Sequence, residues 1–315
     1  MNFDPEAEAP TWRRFIADIM PNEAQRDWLQ LYFGYAAAGD PVEQVVAMAY
    51  GEGQNGKSTM IDVLCGVMGP YAMRSDIETF LTQRNNGGGS TATPDLARLP
   101  GVRFLFAAEP GAGRRLNAGR VKEISGGENI VARHLWGAPF EFTPQFNLWI
   151  STNKKPVVPG NDPALWRRLR LIPFTVRVPE ERRVLGLANT ILKKEAPGVL
   201  NWILEGLQVW REIGRLPSVE SIRQATEDYR TESDEVGQFI LQRCQIGQGL
   251  RVPATELYLE FVRWFGKEIG GKPPTQTMFG RDLNDRGLES CRDGVTYRMG
   301  LALLPEPSVK REGEG

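Results

Sequence analysis

Apolar residues recur at helical spacing through Trp28, Leu29, Leu31, Tyr32 and Tyr35, with Asn22-Glu23 as a cap and Gly39-Asp40-Pro41 as a stop. Residues 44–50, Gln-Val-Val-Ala-Met-Ala-Tyr, form an apolar run of strand length that ends in glycine. The spacing of Met60, Ile61, Val63, Leu64 and Val67 predicts a helix over 57–68, stopped by Gly69-Pro70. A loose segment follows, with Asn85 to Ser90 as a loop. Strands are predicted at 102–108, 146–152 and 169–174, the last at a sheet edge or ending at its proline. Helical stretches between them, including 117–124, argue for a mainly parallel sheet covered on both faces. Helical patterns then run over 181–195, 197–214, 218–230 and 234–244. Residues 251–303 read as helix, a Lys272-Pro273-Pro274 break, helix and two strands near 287–292 and 295–303, the order of a small winged-helix module.

Composition narrows the function. The chain has 315 residues, about two domains' worth, and 38 Lys and Arg against 39 Asp and Glu. A uniformly basic nucleic-acid coat and an acidic disordered tail are both excluded. The near-zero total hides opposed patches: residues 1–50 hold three basic and eight acidic side chains, and residues 111–172 hold ten basic and four acidic. Cys65, Cys244 and Cys291 lack any CxxC, so neither a disulfide framework nor a thiolate metal site is indicated. The single histidine, His134, excludes a multi-histidine metal centre. No apolar run approaches the ~18–20 residues that span a bilayer. The acidic start lacks the order of a signal peptide, so a cytoplasmic protein without a membrane partner is expected. Only nine lysines occur, and Lys57, Lys122, Lys154 and Lys155 cluster where the chemistry is.

Gly51-Glu52-Gly53-Gln54-Asn55-Gly56-Lys57-Ser58-Thr59 fits G-x-x-x-x-G-K-[ST], between a predicted strand and a predicted helix. Glycines let backbone amides wrap phosphates, and the helix points its positive dipole end at the same anion. Lys57 supplies charge to the β and γ phosphates, and Ser58 a hydroxyl to Mg²⁺. Such a loop alone fits kinases, GTPases, motors and helicases. Downstream, Glu109 ends a predicted strand and suits Mg²⁺ or the attacking water, or is a solvated strand-end carboxylate. Asn153 ends the next strand as a polar sensor or a turn former. Arg167 and Arg168 precede a third strand, as a charge for a neighbour's γ-phosphate or as a basic turn.

With these residues in place the chain resembles the superfamily 3 DNA helicases, in particular the helicase part of phage, plasmid and poxvirus primase-helicases. The carrying stretches are Tyr50 to Thr59, Leu96 to Glu109, Val121 to Arg133, Phe142 to Asn153 with Pro156, and Trp166 to Phe174. The resemblance implies an α/β, AAA+-like P-loop ATPase with a central mainly parallel sheet. It implies an ATP- and Mg²⁺-dependent helicase that forms a ring, usually a hexamer, and moves on single-stranded DNA, typically 3′ to 5′, to unwind forks for replication. Expected parts are a helical N-terminal segment (1–42), the ATPase core (43–176), a helical lid or linker (177–235), a winged-helix-like module (236–305) and a flexible tail (306–315). Gly51, Gly53, Gln54, Asn55, Gly56, Lys57, Ser58 and Thr59 would hold ATP. Ser58 and Glu109 would hold Mg²⁺, Asn153 would be the sensor, and Arg168, favoured over Arg167, the arginine finger. Lys122, Arg133, His134 and Lys154 would meet DNA around a hairpin in 129–147, with His134 also readable as a structural histidine. Walker B commonly shows two acids, whereas Ala108 precedes Glu109 here. The D-x-D pair of a primase half is absent, so primer synthesis is not expected, though a separate or fused primase is a candidate partner. Thr275, Gln276, Thr277 and Arg281 would lie on a recognition helix, unless the module is a structural cap. Trp28, Trp136, Trp149, Trp166, Trp202 and Trp264 are read as core anchors rather than base-stacking platforms. The rival functions are a nucleotide-switched origin-binding initiator and a P-loop kinase.

Overall fold

The computed structural model describes residues 3–82, 93–108, 114–158 and 162–305. The chain divides into two compact units, Met1–Arg230 and Thr231–Gly315. The first begins with α1 (Pro10–Ile19), α2 (Glu23–Ala38), β1 (Val46–Tyr50), α3 (Lys57–Met68), β2 (Ala72–Asp76), α4 (Pro94–Ala97), β3 (Phe104–Ala108) and α5 (Ala118–Ser125). It continues with β4 (Ile130–Arg133), β5 (Pro139–Phe142), β6 (Asn147–Thr152), α6 (Pro163–Trp166), β7 (Leu169–Pro173), α7 (Leu187–Ile213) and α8 (Glu220–Ser233). Among the described residues a five-stranded sheet runs in the order β2-β3-β6-β1-β7, every pair parallel.

Its central strands are near-continuous apolar runs because both faces are covered. Ala47, Ala49, Phe104, Phe106 and Trp149 turn to the face under α1, α2, α3 and α7, while Val46, Met48, Leu105, Leu148 and Ile150 join a second core with Leu116, Val121, Ile124, Trp166 and Tyr229. The Asn22 side chain accepts from the Gln25 amide to start α2, and α3 occupies the predicted 57–68. Pro173 both ends β7 and lies on the sheet edge.

Three elements depart from the sequence pattern. The stretches 181–195 and 197–214 are replaced by one 27-residue helix, α7, that passes through Pro197. An interior proline costs ~3 kcal/mol, but α7 buries Val199, Trp202 and Ile203, and each large apolar side chain returns roughly 1.5–3 kcal/mol. Strand β2 comes from the supposed loose segment: it is an edge strand, half exposed, and shows no apolar run. Helix α1 was also missed. Its first amides, those of Thr11 and Trp12, donate to the Glu195 carboxylate of α7 at 3.2 and 3.0 Å, so the cap comes from far along the chain. Consequently α1, α2, α7 and Ile222 of α8 pack on the sheet in one core with α3.

The second unit contains α9 (Glu235–Arg243), β8 (Cys244–Pro253), α10 (Ala254–Glu268), α11 (Gln276–Asp285), β9 (Ser290–Asp293) and β10 (Val295–Leu303). Its antiparallel sheet has the order β8-β10-β9, and Phe239, Phe261, Trp264 and Phe279 form the core. Strand β8 was not anticipated, because most of its side chains face solvent. The loop predicted at Asn85 to Ser90 and the tail predicted at 306–315 lie outside the described residues.

Helices α2 and α7 cross on glycine. A Cβ at Gly34 would stand 2.1 Å from the Leu207 nitrogen, and one at Gly206 2.1 Å from the Gln30 carbonyl oxygen. Gly206→Ala is expected to lower unfolding free energy by about 1–3 kcal/mol in urea; an unchanged midpoint would show that the crossing can open at no cost.

Candidate functional site

Strand β1 delivers the glycine-rich turn to the carboxyl edge of the sheet, between β6 and β7. A Cβ at Gly51 would meet Asn55 Nδ2 and the Phe174 carbonyl at 2.4 Å, and Gly56 has φ +80° with Ile19 2.5 Å from its would-be Cβ. Both positions therefore need glycine. The turn leads straight into α3, whose first residue is Lys57. The buried Lys57 ammonium donates to the Gly51 carbonyl at 2.8 Å and to Asn153 Oδ1 at 3.3 Å. It thus links the turn to the end of the neighbouring strand.

A cavity of about 360 Å³ opens here, lined by Gly53, Asn55, Lys57, Ser58, Ala108 and Asn153. Ser58 is exposed to it. Glu109 lies outside the described residues, but Ala108 immediately before it lines the cavity. Asn55 is 3% exposed and its Nδ2 has no hydrogen-bond partner. An unmatched buried amide costs roughly 1–3 kcal/mol, and this one sits against Gly51, beside the Phe174 carbonyl. Among the described residues no cluster of His, Cys, Asp and Glu could hold a metal by itself; Ser58 would bind Mg²⁺ together with a nucleotide's phosphates.

The structure places the two candidate finger arginines differently. Arg168 is buried, its Nη1 donating to the Ala164 carbonyl at 2.6 Å and its Nη2 to Gln44 Oε1 at 2.8 Å. Burial first, and the Arg167 charge second, lower the proton affinity of its guanidinium. Arg167 is exposed, held only at 3.3 Å to Gln44 Oε1.

Lys122 also differs from expectation: its ammonium donates to Asp162 Oδ2 at 2.7 Å, which directs it to the start of α6. Arg133 and His134 do lie on a hairpin, β4 paired antiparallel to β5. Arg133 Nε donates to the Gly137 carbonyl at 3.0 Å, bracing the turn, and exposed His134 stacks on Phe140 at 5.3 Å. At the tip Trp136 is 98% exposed with φ +62°, which overturns its assignment to the core; Trp28, Trp149, Trp166, Trp202 and Trp264 are buried. Its signal was its place, between two strand-length runs and before a glycine. Lys154 is exposed, and Lys155 lies over the Tyr50 and Tyr229 rings. In the second unit Thr275 caps α11, and Gln276, Thr277 and Arg281 are exposed. Burial pushes the Cys244 thiol up to about 12, the behaviour of an inert buried cysteine.

The parallel sheet, with a glycine-rich strand-to-helix turn at its carboxyl edge, defines an α/β fold with a cleft at that edge. Residues 49–168 match a family of unknown function, DUF5906. The chain is 27% identical over 280 residues to a protein of Acanthamoeba polyphaga mimivirus named “Putative helicase”, covering 82% of this chain and 29% of that protein. A protein of Frog virus 3 with the same name is 27% identical over 266 residues, 79% of this chain and 27% of its own. One from African swine fever virus, named “Putative primase”, is 22% identical over 298 residues, 87% and 30% of the two chains. The chain therefore spans less than a third of these relatives. A solved apo structure of the NrS-1 C-terminal region shares the fold, with a TM-score of 0.55 and 16% identity over 95% of this chain and 76% of that one. Among the described residues no helix is long and apolar enough to cross a membrane.

The Lys122–Asp162 pair yields a pH test. Burial alone would raise the Asp162 carboxyl, but the Lys122 hydrogen bond and the Leu165 and Ala164 amides outweigh it and hold it below its ordinary value. A depressed carboxyl stabilises the fold above its unfolded value of about 4 and loses that contribution as pH falls through the folded value. Lys122→Ala is expected to raise the Asp162 carboxyl in an NMR titration. It should cost about 0.5–1 kcal/mol at neutral pH, a deficit that vanishes in strong acid. A deficit independent of pH would assign the loss to packing.

Proposed function

We propose that this chain is the ATP-driven motor part of a DNA replication helicase. The observation that carries the reading is the Lys57–Asn153 hydrogen bond, which joins a phosphate-type loop to a polar strand end across the sheet. The names of the viral relatives agree with it.

In this reading the amides of 53–58 and Lys57 hold the β and γ phosphates of ATP. Bound Mg²⁺ would neutralise charge on the phosphate oxygens beside Ser58. Asn153 fixes the γ-phosphate end, and Glu109 positions the attacking water. Arg167 of one subunit completes the site of its neighbour in a ring, in this reading a hexamer, so hydrolysis requires assembly. The β4–β5 hairpin meets single-stranded DNA through Arg133 and His134, with Trp136 stacking on a base. Lys154 adds charge near the same edge, and Lys122 acts through Asp162. A second reading, a nucleotide-switched origin-binding initiator without unwinding, draws on the exposed polar face of α11.

Arg167→Ala is expected to reduce ATPase activity about 10³-fold or more while nucleotide binding persists. Mixing it with Lys57→Ala protein should restore activity, because mixed interfaces carry one intact copy of each group. No recovery at any ratio would remove the shared site. Trp136→Ala should weaken single-stranded DNA binding by about 1–3 kcal/mol and abolish the tryptophan quenching seen on binding; unchanged affinity would remove the tip from the DNA path.

A further inference from the structure

On the other side of the phosphate loop lies a second cavity of about 450 Å³, lined by Tyr50, Glu52, Phe174, Val176 and Arg177. Gly53, Gln54 and Asn55 line both cavities, so the loop is the wall between them. The strap that follows β7 is fastened to this wall. The Val178 amide donates to the Gln54 carbonyl at 2.8 Å. Arg177 Nε and Arg183 Nη2 both donate to Gln54 Oε1, at 3.1 and 2.7 Å.

Two guanidiniums thus converge on a single neutral oxygen. Among the described residues neither makes an ion pair with a carboxylate. Like charges held together repel, and an anion accepting from both would offset that repulsion. Gln54 lines both cavities, so a ligand extending from one to the other would pass beside it.

We infer that the second cavity receives the nucleoside end of a nucleoside di- or triphosphate, and that Arg177 and Arg183 transfer from Gln54 to its phosphate chain. This rests on the phosphate-loop reading above. The arginines belong to the same subunit as the loop, and the strap they sit on leads directly into α7, so ligand occupancy would be felt at the start of that helix.

The test uses calorimetric titration of the full chain with Mg·ADP and, separately, with inorganic triphosphate, which has no nucleoside. Arg177→Ala/Arg183→Ala should weaken Mg·ADP about tenfold and flatten its salt dependence. Arg177→Lys/Arg183→Lys should recover most of the loss, and Arg182→Ala, an exposed neighbour, should change nothing. Val176→Trp, which fills the second cavity, should weaken Mg·ADP and leave inorganic triphosphate as in the wild type. Wild-type affinity for Mg·ADP in the double alanine variant would overturn the arginine role. Equal weakening of both ligands by Val176→Trp would overturn the nucleoside pocket. A wild-type chain that binds neither ligand would overturn the phosphate-loop reading itself, a distinct result.

Discussion

The register of β1 between its two neighbours is the constraint on which the site depends. Tyr50 pairs with Thr152 of β6 on one side and with Pro173 of β7 on the other. The Gly51 amide donates to the Thr152 carbonyl, and the Phe174 amide to Tyr50. Three chain segments therefore leave the sheet at one level: the glycine-rich turn, the 153–158 turn and the strap after β7. A one-residue slip would turn every inward side chain of β1 to the opposite face, and Lys57 would no longer meet Asn153. The chemistry is assembled by parallel hydrogen bonding before any side chain contributes to it.

Helix α7 makes that sheet edge rigid from behind. It caps α1 with Glu195, meets the backbone before α1 at Gly198 and α2 at Gly206, and packs Leu192 against Gly66 of α3. The helix that begins at Lys57 is thus packed through Leu192 against Gly66 and through Ile19 and Phe15 against Gly56. The side of the sheet that carries the hairpin rests on a different core, built from Leu116, Val121, Ile124 and Ile130. The two faces can respond to a ligand differently, since the cavity lies at the edge between them.

Much of the α/β core was legible because its signals are local. Helix α3 has an apolar stripe and a glycine stop, and β3, β6 and β7 are short apolar runs bounded by turns. What escaped was decided by distant partners. Pro197 looks like a break until the burial of Trp202 and Ile203 is counted, and β2 is an edge strand that needs only β3 to define it. In the candidate site the phosphate loop was readable from residue type and spacing alone. The choice between Arg167 and Arg168 was not, because adjacent residues point to opposite sides and only the position of Gln44 and Ala164 shows which one turns inward. Trp136 escaped for a related reason: tryptophan is usually buried, and only its place before a glycine, between two strand-length runs, pointed to the hairpin tip where it is 98% exposed. The Arg177–Gln54–Arg183 contact left no trace in any motif.

The most direct measurement of the proposed motor role is strand displacement on a forked DNA duplex with a free single-stranded arm, with Mg·ATP present. Release of the labelled strand by the wild-type chain, dependent on ATP and lost in Lys57→Ala, is the expected result. ATP hydrolysis and DNA binding at full strength without any strand release would contradict it and favour a nucleotide-switched initiator.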